Sequence, residues 1–379
     1  VRKYWYKEWM MKYYSEVSKI VEGGLSNNKG LVVSYAKQLA EKLLKDGDSR
    51  AANGISKRVE GVSLNSINSQ SVIGRPVPVE KDNRFSLADK IYPSESNTIV
   101  FLDEQTADVV DSFIKYIQEK NKLLGAGIPI NPSLLLYGKP GTGKSKLAAT
   151  LAARLNLPLV TARADALISS YLGSTSKNIR SLLEYAQAEP CVLFLDEFDA
   201  IAKARDDKNE IGELKRVVVS LLQNIDNLGD TILVAATNHQ HLLDQAIWRR
   251  FHYKMELTAP SNMVREQIFN FLLLNFDCSS DDILHFVNFS KGLTGAEIEM
   301  CVYDYLRFII INDLSINSVK LSQNLLKMNY SWLDFDKKHQ FKNMLKLREL
   351  NEKVFNYRVL AYIYEMSSSN VGKILKGNK

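Results

Sequence analysis

Long apolar runs, cysteines and histidines are all scarce in this chain, and each shortage removes a class of function. No stretch of 18 or more apolar residues occurs among the 379, which argues against a membrane-spanning helix. The opening VRKYWYKEWMMKYYSEVSKI is aromatic and charged throughout. It offers neither an apolar core nor a small-residue cleavage site, so a secretory signal is not expected. Three cysteines, Cys191, Cys278 and Cys301, stand far apart in apolar surroundings. They fit neither a disulfide scaffold nor a zinc cluster, and the expectation is buried thiols in a reducing cytoplasm. Among only five histidines there is no His-Glu-x-x-His, so an integral zinc-protease pattern is absent, and no Ser/His/Asp hydrolase constellation stands out. His239 and His241 are expected to be structural or solvent-facing.

What is present is ordinary globular material: 45% hydrophobic and 24% charged residues, enough for a sizeable core and two or three domains. The formal net charge is +6, and residues 331–379 carry 10 basic against 5 acidic side chains, so an acidic partner would meet the tail. Residues 31–44 show apolar positions at helical spacing and anchor a helical N-terminal domain over 1–62. Residues 63–104 read as a linker and approach segment. Over 105–259 a first helix (105–124) is followed by alternation: apolar strands at 133–138, 158–163, 191–197 and 231–238, with helical segments at 144–155, 179–188 and 213–226 between them. That alternation predicts a mostly parallel sheet covered on both faces. Residues 260–328 read as helices only, and 329–379 as a basic helical tail.

Residues 138–145 read Gly-Lys-Pro-Gly-Thr-Gly-Lys-Ser between an expected strand and an expected helix, the complete phosphate-loop pattern in its required setting. Gly138, Gly141 and Gly143 let backbone N–H groups turn inward around phosphate. Lys144 can reach the β- and γ-phosphates, and the Ser145 hydroxyl can ligate Mg²⁺. Pro140 and Thr142 complete the ATP-binding loop. The strand at 191–197 carries Asp196 and Glu197 out at its carboxyl end, where open α/β sheets bind ligands. Asp196 is expected to hold the Mg²⁺ shell and Glu197 to polarise the attacking water. Asn238 ends the next strand, where a neutral amide can orient water and sense the γ-phosphate without adding negative charge. The expected fold class is therefore α/β, a P-loop NTPase three-layer αβα sandwich with a helical lid and small helical N- and C-terminal domains. The expected reaction is Mg²⁺-dependent hydrolysis of ATP to ADP and phosphate.

Over about residues 100–328 these features together resemble the AAA family in its protein-remodelling branch. GKPGTGKS resembles that family's Walker A motif, VLFLDEFD its Walker B and Asn238 its sensor 1. The run Arg249–Arg250–Phe251 resembles its arginine-finger site. The resemblance implies that Arg249 and Arg250 act on the ATP of a neighbouring subunit, and hence a homo-oligomeric ring, a hexamer. A guanidinium delivered in trans would stabilise charge developing on the transferred phosphoryl group. GLTGAEI (292–298) resembles the lid signature, which implies that Gly295 and Ala296 lie near the adenine or ribose. The same residues also read as a helix start, with Thr294 as N-cap and Glu297 three positions on. Tyr171-Leu172-Gly173 resembles the first pore loop, which implies a grip on a polypeptide substrate drawn through a central channel.

The tail segment YRVLAYIYEMSSSNVGKILKG (357–377) resembles a helix-turn-helix, with Ala361 in the first helix, Ser367 and Ser368 near the turn, Val371 and Ile374 on the buried face, and Glu365 where a small turn glycine is usual. Its second helix would present Ser369, Asn370 and Lys373 to DNA. Modules of this shape also dock proteins, so both partners stay open. With the short helical N-domain, the architecture resembles bacterial stand-alone AAA ATPases, some encoded beside a subtilisin-like protease, which implies a protease or adaptor as a further partner.

Overall fold

The computed structural model describes residues 13–25, 29–60, 77–79, 86–94, 98–167, 172–202, 225, 228–243 and 245–376. The chain divides into two compact units, Val1–Gly74 and Arg75–Lys379. In the first, α1 (Tyr14–Leu25), α2 (Lys29–Lys45) and α3 (Ser49–Glu60) pack consecutively. Ala36, Leu39 and Ala40 of α2 and Ala52 of α3 are buried. The Asp48 carboxylate accepts the Ala51 N–H at 3.0 Å and so caps the start of α3.

The second unit opens with β1 (Ala88–Ile91), α4 (Glu104–Gln118) and α5 (Lys120–Gly125). Then come β2 (Ser133–Tyr137), α6 (Lys144–Arg154), β3 (Leu159–Ala162), α7 (Ala164–Leu167) and α8 (Leu172–Ala188). The α/β part ends with β4 (Val192–Leu195), α9 (Phe198–Ala202), β5 (Ile232–Thr237), α10 (Gln245–Trp248) and β6 (Tyr253–Glu256). The strands form one sheet in the order β1-β3-β4-β5-β2-β6, parallel except for β1, which runs antiparallel to β3.

Strand periodicity sorts the side chains onto two faces. Leu134, Leu136, Phe194 and Val234 pack with Phe113 and Ile114 of α4 and with Leu147 and Leu151 of α6. Leu135, Leu193, Leu195 and Leu233 pack on the other face with Ile179, Leu182 and Leu183 of α8. The three-layer αβα sandwich follows directly from apolar strands that must be covered twice.

Two strands go beyond the four expected from sequence, and both are edges. β1 comes from the segment read as linker and approach, and β6 follows the arginine pair. Their sequences, Ala-Asp-Lys-Ile and Tyr-Lys-Met-Glu, each bury a single residue fully. A short strand with one neighbour and one covered face needs no continuous apolar run, so the usual signal is missing.

Seven further helices follow: α11 (Asn262–Leu272), α12 (Ser280–Phe289), α13 (Gly295–Ile311), α14 (Ser318–Asn329), α15 (Gln340–Leu350), α16 (Tyr357–Ile363) and α17 (Ser368–Lys376). α13 starts on the expected cap: Thr294 accepts the Glu297 N–H while the Glu297 carboxylate accepts the Thr294 N–H. One hydrophobic core runs across residues 328 and 329 without interruption. It joins Phe269, Phe286, Leu306 and Leu325 of the lid to Met344, Leu347, Leu360 and Val371 of the tail. Helices as short as α16 and α17 cannot stand alone in water and borrow the lid's apolar surface. Polar contacts reinforce the seam: Gln323 Nε2 donates to the Ile363 carbonyl at 2.8 Å, and the Tyr362 hydroxyl donates to Asp282 at 3.0 Å. Glu365 takes a left-handed φ of +51° between α16 and α17, at the position where glycine is more usual. Among the described residues, no helix is long and apolar enough to cross a membrane.

Candidate active site

The phosphate loop leaves the carboxyl end of β2, and its shape depends on glycine. Gly138 has φ +141°, and a Cβ there would stand 2.1 Å from the Leu257 carbonyl oxygen. Gly141, at φ +78°, lies against the lid: a Cβ would meet Thr294 Oγ1 at 2.8 Å and the Ala296 methyl at 3.1 Å. The contact is closed by the Ala296 N–H, which donates to the Gly141 carbonyl at 3.1 Å. Only a chain without a side chain can turn this tightly against both neighbours.

Lys144, the first residue of α6, is buried, and its ammonium donates to the Gly138 and Lys139 carbonyls at 2.8 Å each. Burial holds that ammonium below the ordinary lysine value, although the Asp196 and Asp199 carboxylates pull it the other way. Ser145 Oγ donates to Asp196 Oδ2 at 2.8 Å. A hydroxyl and a carboxylate so close are hard oxygen donors that could hold Mg²⁺. The Glu197 N–H donates to the other Asp196 oxygen at 2.9 Å, and Glu197 itself has a left-handed φ of +49°. A glutamate in that region is strained, as groups aimed by their surroundings often are.

Thr237 Oγ1, at the end of β5, donates to Asp199 at 2.7 Å and accepts the His239 N–H at 3.0 Å. This clamps both sides of Asn238, whose Oδ1 is buried without a hydrogen-bond partner. An orphaned buried acceptor costs about 1–3 kcal/mol unless a donor arrives, which suits a site that receives water or ligand.

These groups share a cavity of about 670 Å³. Its polar end is lined by Pro140, Gly141, Thr142, Gly143, Lys144 and Ser145, with Asp196, Glu197, Asn238, Gly295 and Ala296 around them. Apolar side chains also line it, Ile99, Phe101 and Leu102 before α4, Ile268 and Phe271 on α11, and Tyr303 on α13, with Thr98, Asp103 and Thr106 beside the first group. Phe101 and Phe271 meet edge to face at 5.8 Å between ring centres. Sequence reasoning missed this wall, because single apolar residues in three separate segments carry no local motif.

The remaining expected residues lie elsewhere. Gly138 forms the base of the loop. Arg249 is exposed, Arg250 donates to the Ala246 carbonyl at 2.8 Å, and neither lines the cavity. Leu172 and Gly173 open α8, while Tyr171 and most of the helix expected over 213–226 lie outside the described residues. Ser369, Asn370 and Lys373 are exposed on α17, whose inner face buries Val371. Burial pushes all three cysteine thiols up to about 11, away from ready reactivity.

Residues 134–259 match the family model of the ATPase family associated with various cellular activities (AAA). An uncharacterised AAA family ATPase of Sinorhizobium fredii is 37% identical over 224 residues, 59% of this chain and 68% of that protein. A 26S proteasome subunit of Saccharomyces cerevisiae is 31% identical, over 59% of this chain and 57% of its own length. Proteasome-activating nucleotidase 1 of Haloferax volcanii is 32% identical, over 56% and 54%. The chain thus spans little more than half the length of these two proteasome-related proteins. Among solved structures, a chain of the E. coli MS115-1 HORMA:CdnC:Trip13 complex shares the fold with a TM-score of 0.54 and 16% identity, covering 63% of this chain and 94% of its own. A phosphate loop folded against its lid, a carboxylate pair at the end of β4 and a relative matched over two thirds of its length lead to one conclusion: this chain belongs to the AAA family and is an ATP-hydrolysing enzyme.

Proposed function

We propose that the chain assembles as a homo-oligomeric ring, a hexamer, that couples ATP hydrolysis to unfolding or disassembling polypeptides in the cytoplasm. The observation that carries this reading is the position of the arginine pair. Asn238, Glu197 and Lys144 line one cavity, whereas Arg249 is exposed beyond it. Phosphoryl transfer gains from an additional guanidinium, and a neighbouring copy is the source that the Arg249–Arg250 position favours.

Within one subunit the division of labour follows from chemistry. Lys144 exchanges the loop carbonyls for phosphate oxygens, and the loop N–H groups take the rest of the negative charge. Ser145 and Asp196 would hold Mg²⁺, whose charge offsets that developing on the phosphoryl oxygens. Glu197 accepts the proton of the attacking water as general base, and the free Oδ1 of Asn238 orients that water. Gly295 and Ala296, without bulk, let the nucleotide approach the start of α13.

Tyr171, Leu172 and Gly173 are proposed as the polypeptide-gripping loop. The likeness to proteasome-related relatives supports a polypeptide as substrate; a separate protease or adaptor is proposed as a further partner. A second reading rests on α17, whose Ser369, Asn370 and Lys373 are exposed in a tail of net positive charge and could recruit the ring to DNA.

The test is native mass with and without nucleotide, with ATPase rate measured alone, with unfolded protein and with duplex DNA. A nucleotide-dependent hexamer stimulated by unfolded protein is expected. Stimulation by DNA alone would replace the first reading by the second, and a monomer under all conditions would remove the ring. In the same assay Tyr171→Ala should spare basal hydrolysis and abolish stimulation by polypeptide.

A further inference from the structure

We propose that Glu299 recognises the ribose of the bound nucleotide, its carboxylate accepting hydrogen bonds from the sugar hydroxyls while Lys146 neutralises its charge. The inference rests on the cavity being the ATP site and adds the residue that reads the sugar there.

Three residues of α13, Ala296, Glu299 and Tyr303, share one helical face and line the cavity. Ala296 marks the phosphate end, since its N–H is bonded to the Gly141 carbonyl. Tyr303 lines the same cavity two turns further along α13, and Phe101 and Phe271 line it as an edge-to-face pair. At the helical rise per residue, Glu299 lies about 4.5 Å and Tyr303 about 10 Å along the axis from Ala296. α11 repeats the layout: the Ile268 side chain would be 4.0 Å from a Cβ on Gly295, and Phe271 follows one turn later. A nucleotide that puts phosphate on the glycine loop and its base on the aromatic wall therefore brings its sugar to the level of Glu299. Ribose hydroxyls are donors, and an ionised carboxylate is purely an acceptor.

A carboxylate close to a polyphosphate is repelled unless its charge is offset. Lys146, the residue after Ser145, forms an ion pair with Glu299. Of the other acids lining the cavity, Asp196 and Glu197 stand at the end of β4 beside Ser145, and Asp103 has no cation paired with it among the described residues, while Glu297 is engaged in capping α13. A purely mechanical purpose for the pair is a weak rival explanation, because the two side chains are 54% and 32% exposed and such pairs contribute little to stability.

The experiment titrates ADP and 2′,3′-dideoxy-ADP into the full chain by calorimetry, for the wild type, Glu299→Ala and Lys146→Met. The wild type should bind ADP roughly tenfold or more tightly than the dideoxy compound. Glu299→Ala should reduce that ratio to about twofold or less, by weakening ADP and sparing the dideoxy compound. Lys146→Met, with Glu299 intact, should keep most of the ratio. An unchanged ratio in Glu299→Ala, or equal weakening of both ligands, would make Glu299 a strut between α6 and α13 and overturn the proposal. Loss of the ratio in Lys146→Met would assign recognition to the lysine and overturn it as well. A wild-type chain that binds both ligands equally would also sink it, whereas one that binds neither would overturn the ATP-site reading on which it rests.

Discussion

The two ends of the cavity are made of opposite materials. The loop end, proposed to hold phosphate, is built largely by backbone: a glycine-rich run from Gly138 to Ser145, two of whose carbonyls hold the Lys144 ammonium. The remaining wall, proposed to hold the base, is built by side chains from segments as far apart in sequence as Ile99, Phe271 and Tyr303. The backbone end has little tolerance, because one added carbon at Gly138 collides with a main-chain oxygen. The side-chain end has graded tolerance, because apolar contact is non-directional and roughly proportional to area. Chemistry is therefore expected to fail abruptly at one end and affinity to decline gradually at the other.

The sharpest test of that contrast is Glu197→Gln. Turnover should fall by ~10²–10⁴, the range of a positioned general base, while ADP affinity measured by calorimetry stays near that of the wild type. Turnover within tenfold of the wild type would remove Glu197 as the base. Gly138→Ala should come next, destabilising the chain by roughly 3 kcal/mol or more through a strained φ and a main-chain clash, read as a lower denaturation midpoint. A wild-type midpoint would show that the loop can move off Leu257. At the other end, Phe101→Ala should weaken ADP binding roughly tenfold and leave the rate at saturating ATP nearly unchanged, since it removes buried ring area and the contact with Phe271. A loss of rate instead of affinity would break the division between the two ends.

The smallest effect concerns the lid, which carries Phe271 and Tyr303 of the aromatic wall. Tyr362→Phe removes the hydroxyl that donates to Asp282 and should cost about 1 kcal/mol in thermal or denaturant unfolding. The same seam should be sensitive to acid. His285 stacks on Tyr362 at 4.3 Å, and burial holds its imidazole below the ordinary value against the pull of Asp282 and Asp281. The unfolded chain takes up that proton first, so stability falls as pH drops below about 6.5, and the loss is complete once the folded-state value is passed. For Asp282, burial pushes the carboxyl up, but hydrogen bonds led by that from Ser279 outweigh it and hold the group below its ordinary value. Its contribution is present above about pH 4 and is lost as the pH falls through the folded-state value. Melting temperatures at pH 7.5 and 5.5 should differ less in His285→Phe than in the wild type.

Legibility in the sequence followed the range of the interactions. The phosphate loop, the carboxylate pair after β4, Asn238 after β5 and the Thr294–Glu297 cap were all readable, because each is a short pattern whose partners lie within a few residues or at the ends of apolar strands. The inner strands were readable because burial on both faces demands continuous apolar residues. β1 was not, since an edge strand of sequence Ala-Asp-Lys-Ile has no run to show. Nor was the aromatic wall: Phe101 lies in a segment that reads as a connector, and Phe271 and Tyr303 look like ordinary positions on amphipathic helices. The apolar stripe of α17 was visible through Val371 and Ile374, but its destination in the core of the lid was not.

A nucleotide site was predictable along the chain, because glycine, lysine, serine and carboxylate at fixed spacing would act through backbone geometry and charge that neighbouring residues already constrain. The limits of that site came from packing between remote segments. Tertiary structure brought Ala296 onto Gly141, set Glu299 beside Lys146, closed the cavity with Phe101 and Phe271, and merged the tail with the lid. These are contacts between remote surfaces, selected by packing and by burial of apolar area, and such forces carry no spacing rule along the chain.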